Sequence, residues 1–175
     1  MPCIHRGHAM PSETMMRLRT TINGEDIELD IEPRELLIDV LRHRLELTGA
    51  KRSCDSQVCG ACTVLLDGQP VSSCCTLAYE ADGRTVLTVE GLAQDGHLDL
   101  IQAAFVEQAA IQCGFCTPGF VLTTKAMLAE NPRPTRDEIK HYLGGNLCRC
   151  TGYWNILDAA EDAARRLAAA AETGS

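Results

Sequence analysis

Aromatic residues are scarce in this 175-residue chain, at 4%. Leu, Ile, Val and Ala must therefore supply most of any core, which suits helices packed beside a small sheet. No apolar run approaches the roughly 18 residues that a membrane-spanning helix needs. Excess positive charge is lacking too: the formal net charge is -8, which repels phosphate backbones and anionic lipid and argues against nonspecific nucleic-acid binding. Residues 1–15 hold neither an apolar signal core nor a twin-arginine pair, and this predicts a cytoplasmic address. The same stretch is polar and aperiodic. It is expected to be a flexible N-terminal extension, with Cys3, His5 and His8 belonging to an unstructured tail rather than a metal site.

Against these shortages the chain has ten cysteines. A reducing compartment does not maintain disulfides, so metal ligation is the leading explanation. The cysteines fall into two ordered sets. In the first, Cys54-x4-Cys59-x2-Cys62 is followed by Cys74 after eleven residues, and the opening spacing is that of plant-type 2Fe-2S ferredoxins. A loop wrapping three thiolates must turn backbone N–H groups toward sulfur, and Gly60 and Ala61 give it room to do so. The second set, Cys113-x2-Cys116 and Cys148-x-Cys150, comes as two pairs separated by 31 residues of helical pattern. On spacing alone a zinc knuckle or buried free thiols stay open for the first set, and structural zinc for the second. Cys75, next to a ligand, is expected to point to the opposite strand face as a small core residue. His43, His97 and His141 show no partner pattern.

Periodicity divides the chain. Asn23-Gly24 lies between two alternating segments ending at Ile22 and Ile31, an opening hairpin. Leu36, Leu37, Val40, Leu41 and Leu45 recur at helical spacing, up to Gly49. Asp67-Gly68 marks a second hairpin, which would return Cys74 on its outgoing strand, and Thr85 to Val89 is a further strand. Beyond Gly91 strand signals vanish. Leu98, Ile101 and Phe105 mark one helical face and Val121, Leu122 and Leu128 another. Thr135 and Glu138 form a capping box, and Ile156, Ala160, Ala163 and Leu167 share a face of a last helix. The reading is α+β: a sheet domain over 16–90 and a four-helix bundle over 91–175.

Three strings carry a family resemblance: Cys59-Gly60-Ala61-Cys62-Thr63-Val64, Gln112-Cys113-Gly114-Phe115-Cys116-Thr117-Pro118-Gly119, and Gly145-Asn146-Leu147-Cys148-Arg149-Cys150-Thr151-Gly152-Tyr153. Together they resemble the iron-sulfur subunit of the molybdenum hydroxylases, the group of xanthine dehydrogenase, aldehyde oxidoreductase and aerobic carbon monoxide dehydrogenase. The resemblance spans about Met16 to Ala169. It implies an N-terminal β-grasp 2Fe-2S ferredoxin-like domain and a C-terminal four-helix-bundle 2Fe-2S domain. It also implies that both cysteine sets hold 2Fe-2S clusters and that no substrate chemistry occurs on this chain.

By the same resemblance, electrons from a large molybdopterin-binding subunit enter the Cys113/Cys116/Cys148/Cys150 cluster and pass to the Cys54/Cys59/Cys62/Cys74 cluster. They then reach FAD on a medium subunit or another acceptor. The pterin is expected as the cytosine dinucleotide form, with Gln112 and Cys150 beside it, and the assembly as a heterotrimer or a dimer of heterotrimers. A free-standing two-cluster electron carrier is the alternative. Ser53 and Gln57 depart from the family, standing where many relatives have glycine.

Overall fold

The computed structural model describes residues 15–173; the expectations for the N-terminal extension, including Cys3, His5 and His8, lie outside these. Strands β1 (Met16–Ile22) and β2 (Glu25–Ile31) form an antiparallel hairpin. Its turn places Asn23 and Gly24 at φ 53° and 87°, the left-handed pair that the Asn-Gly signal implies. A second hairpin joins β3 (Thr63–Leu66) to β4 (Gln69–Ser72), and β5 (Thr85–Leu87) completes a sheet ordered β2-β1-β5-β3-β4. Only the β1/β5 pair is parallel. This is the β-grasp arrangement.

The helical stretch after Pro33 differs from its spacing. It comprises a single turn, α1 (Leu37–Asp39), then a widened turn over Val40–Arg44 in which the Leu45 N–H reaches the Val40 carbonyl at 3.2 Å. The extra residue in that turn lets Leu37, Ile38, Val40 and Leu41 all reach the interior. The chain leaves this turn at Glu46, φ 57°, before Gly49 is reached.

The C-terminal half holds α2 (Leu100–Glu107), α3 (Thr117–Glu130), α4 (Arg136–Tyr142) and α5 (Trp154–Thr173). Asp99 caps α2, and Thr135 caps α4 through the expected reciprocal box with Glu138. Leu98 lies outside α2 and is exposed, whereas Ile101 and Phe105 are buried. Ile156, Ala160 and Ala163 of α5 are buried against α2, α3 and α4, with Leu167 packed at the edge. The alanines allow the close approach. Arg136 also ties α4 to α5, pairing with Asp158 at 2.9 Å and Glu161 at 2.8 Å while lying over the Trp154 ring.

Strand β3 is where the halves meet. All four of its residues are buried, because Val64 and Leu66 face the sheet core while Leu65 faces the helical core. Strand alternation requires this division once both faces are covered. Helix α3 supplies that cover, and Gly119 near its start lies against the loop before β3.

Candidate metal centres

Residues 51–62 form an irregular loop, held at its exit by Thr63, whose N–H and hydroxyl both donate to the Gly60 carbonyl, at 3.1 and 2.7 Å. Cys54 and Cys59 are partly buried in it and Cys62 is buried. Asp55, Gln57 and Gly60 take φ of 51°, 60° and 67°, and these left-handed residues turn successive amides inward. The Cys59 amide comes to 3.4 Å from the Cys54 sulfur. Donation from the Ser56 amide, then from those of Cys59 and Val58, lowers the Cys54 thiol to about 6. Such convergence is what a sulfur-ligated centre requires.

Cys74 does not lie on β4, as its position after the Asp67-Gly68 turn suggests; the strand ends at Ser72 and Cys74 occupies the following turn. The Ser73 hydroxyl and amide still donate to the Cys62 carbonyl, at 2.6 and 3.4 Å, and so bring Cys74 back to Cys62. From the other side α1 anchors the same turn: the Leu37 and Ile38 amides donate to the carbonyls of Thr76 (2.8 Å) and Ser73 (3.1 Å). Ile38 packs directly on the buried Cys62 and Cys74. Burial pushes the Cys62 thiol up to about 12.

Cys75 corrects an expectation. In a turn, side chains do not alternate across a sheet, and its thiol is exposed, 3.7 Å from the Cys74 sulfur.

The second set converges from two segments. Cys113 and Cys116 precede α3, Cys148 and Cys150 precede α5, and the Cys113 and Cys150 sulfurs lie 3.6 Å apart. Cys116 is pushed up to about 12, chiefly by burial and then by its contact with the Cys148 thiol. Cys148 is held below the ordinary thiol value: burial opposes its ionisation, but the Thr151 hydroxyl and amide, at 3.1 and 3.4 Å, outweigh it. All four thiols line one cavity of about 520 Å³, together with Ser53, Cys59, Ala61, Phe115, Leu147, Arg149 and Tyr153. Gln112 is exposed and is not among the lining residues, although it directly precedes Cys113 in the chain.

The donor chemistry fits two-iron clusters. The second set meets as Cys113 with Cys150 and Cys116 with Cys148, and two thiolates for each of two irons is the demand of a 2Fe-2S cluster. The buried Thr117 hydroxyl beside Cys116 has no protein acceptor among the described residues, leaving a donor beside the thiols. Among the described residues all nine cysteines are free thiols.

Three features escaped the sequence reading. Asn146 is buried and donates from its side-chain amide to the Gly60 carbonyl at 3.2 Å; the Leu147 N–H donates to the Cys59 carbonyl at 2.9 Å; and the Tyr153 hydroxyl accepts from the Cys148 N–H at 3.0 Å. The one available signal was a lone amide following Gly144-Gly145, two residues before the second cysteine pair.

Comparison with known proteins agrees with this geometry. Residues 20–91 match the family described as a 2Fe-2S iron-sulfur cluster binding domain, and residues 88–161 match a second [2Fe-2S] binding domain. The chain is 48% identical over 151 residues to the nicotinate dehydrogenase small FeS subunit of Eubacterium barkeri, covering 86% of this chain and 96% of that subunit. It superposes on a chain of quinoline 2-oxidoreductase from Pseudomonas putida 86 with a TM-score of 0.82 at 49% identity, covering 87% of this chain and 98% of that one. Aldehyde oxidoreductase from Desulfovibrio gigas gives a TM-score of 0.85 at 40% identity, and there the match covers 89% of this chain but only 18% of a much longer one. The chain therefore belongs to the family of small iron-sulfur subunits of the molybdenum hydroxylases.

Proposed function

We propose that this chain carries electrons, one at a time, from a molybdopterin centre on a large partner subunit through two 2Fe-2S clusters to an acceptor. Cys113, Cys116, Cys148 and Cys150 hold the entry cluster; Cys54, Cys59, Cys62 and Cys74 hold the exit cluster. Four thiolates close each cluster to organic substrate, so the bond chemistry belongs to the partner. The observation that carries this reading is the placement of the two thiol sets: the cavity lined by the second set is also lined by Cys59 of the first.

The order of the two clusters is supported by exposure. Cys113 and Cys150 are exposed, and the exposed Phe115, Leu147 and Tyr153 line the same cavity as an apolar rim. Such a rim is the expected mark of a protein interface. Gln112, exposed and next in sequence to Cys113, offers its amide to the pterin, with Cys150 in contact with Cys113. FAD on a medium subunit is the proposed acceptor, the cytosine dinucleotide the proposed pterin form, and a heterotrimer or its dimer the proposed assembly.

Native purification followed by metal analysis tests the function. About four iron and four acid-labile sulfide per chain are expected, together with a co-purifying molybdopterin-containing chain. Zinc without sulfide would refute the clusters, and an active protein free of any molybdenum chain would refute the subunit role.

A further inference from the structure

We propose that Asn146 is a positioning residue for electron passage between the two centres: its amide clamps the turn bearing the second thiol set onto the loop bearing the first. The inference rests on the two-cluster reading above and adds to it the device that sets the clusters' separation.

Two hydrogen bonds join the segments side by side, Asn146 Nδ2 to the Gly60 carbonyl at 3.2 Å and the Leu147 N–H to the Cys59 carbonyl at 2.9 Å. Each joins residues far apart in sequence, and each lies next to a proposed ligand, since Cys59 is one and Leu147 adjoins Cys148. The Asn146 N–H closes its own turn on the Leu143 carbonyl at 3.0 Å, so its side chain is aimed by the backbone. At 4% exposure the amide has no competition from bulk water.

The surroundings admit little else. A Cβ on Gly60 would overlap Asn146 Nδ2 and stand 2.7 Å from the Gly145 carbonyl. One on Gly119 would overlap the Gly60 carbonyl, so α3, whose N-terminal flank carries Cys116, is held to the same point. Three segments bearing ligands of both sets thus meet at the Gly60 carbonyl, which also accepts the Thr63 amide and hydroxyl. Only a short side chain with an N–H donor meets that requirement. Aspartate would set a carboxylate against a carbonyl oxygen, and alanine would release the turn.

The step served is a single-electron exchange: the second-set cluster is oxidised as the first-set cluster is reduced, with no bond made or broken and no proton needed. Its rate depends on separation and on the bonded path between ligands. The Cys59 carbonyl, the Leu147 N–H and the Cys148 backbone make such a path with one hydrogen bond.

The test uses the native complex carrying Asn146→Ala, Asn146→Asp or Gly119→Ala, fully reduced with dithionite. Iron and sulfide per chain and both cluster EPR signals should match the wild type. The spin–spin splitting between the two reduced clusters, which falls with the inverse cube of their separation, should be diminished or lost in all three variants, and flash reduction should show a longer lag between the clusters. Wild-type splitting and lag in the variants would overturn the inference while leaving the two clusters standing. Loss of a cluster from all three would overturn it too, making Asn146 a residue of assembly. A wild type without iron and sulfide would instead remove the two-cluster reading beneath it.

Discussion

Gln57→Gly should stabilise the protein, although most core or loop substitutions do the reverse. Gln57 sits in the first thiol loop at φ 60° with its side chain exposed. A left-handed conformation costs a residue bearing a Cβ roughly 1–2 kcal/mol. Glycine removes that cost but brings roughly 0.5–1 kcal/mol of additional unfolded-state entropy. No buried contact is lost, and the Gln57 amide that donates to the Cys75 thiol is backbone and survives the change. The net gain is up to about 1.5 kcal/mol, which for a chain of this size raises Tm by up to roughly 6 °C. Ser53, the other departure from the family's glycines, does not have a left-handed φ. Ser53→Gly should therefore lower stability by about 0.4–1 kcal/mol through the unfolded state alone. Anaerobic calorimetry of the cluster-loaded protein, with cluster bleaching followed in parallel, measures both. A lower Tm for Gln57→Gly, or a rise of equal size for Ser53→Gly, would refute the conformational reasoning.

Other outcomes follow from the thiol geometry. Cys116→Ser should reduce iron from about four to about two per chain and abolish one EPR signal while the other persists; two persisting signals would dismiss the ligand assignment. In the cluster-loaded protein iodoacetamide should label Cys75, the exposed thiol outside both proposed sets, and peptide mass spectrometry should find no other described cysteine modified. Labelling of Cys113 or Cys150 without cluster loss would contradict their role. Gln112→Ala should weaken pterin retention with both clusters kept, and unchanged pterin content would count against the contact.

The parts of the fold written in local chemistry were legible. Asn23-Gly24 gave the first turn, the Thr135–Glu138 box began α4 where expected, and the Ile156, Ala160, Ala163 stripe marked the buried face of α5. Reading failed where tertiary packing overrides local pattern. The α1 stretch shows helical spacing, yet burying four of five successive positions widened its second turn. Cys75 was assigned by strand alternation, but β4 ends at Ser72 and alternation ends with it. Asn146 lay inside a recognised string without a role, because its partner Gly60 is 86 residues away and only the folded chain brings them together.

Electron transfer makes an unusual demand on such packing. A catalytic side chain must be aimed at substrate, whereas two clusters need chiefly a fixed and short separation, and apolar burial alone can supply that. Strand β3 shows how: Val64 and Leu66 belong to one core and Leu65 to the other, so separating the halves would expose Leu65 and the α3 surface that covers it. Fully burying a leucine is worth roughly 1.5–3 kcal/mol, and close-packed interiors yield little to thermal motion. The polar contacts at Gly60 act on a surface already held together by this burial, selecting its register rather than providing its strength. This division of labour explains why the loop tolerates a strained Gln57 on its exposed side but has glycine on the side facing Asn146. Strain toward solvent costs stability alone, whereas a Cβ toward the second turn would move one thiol set away from the other.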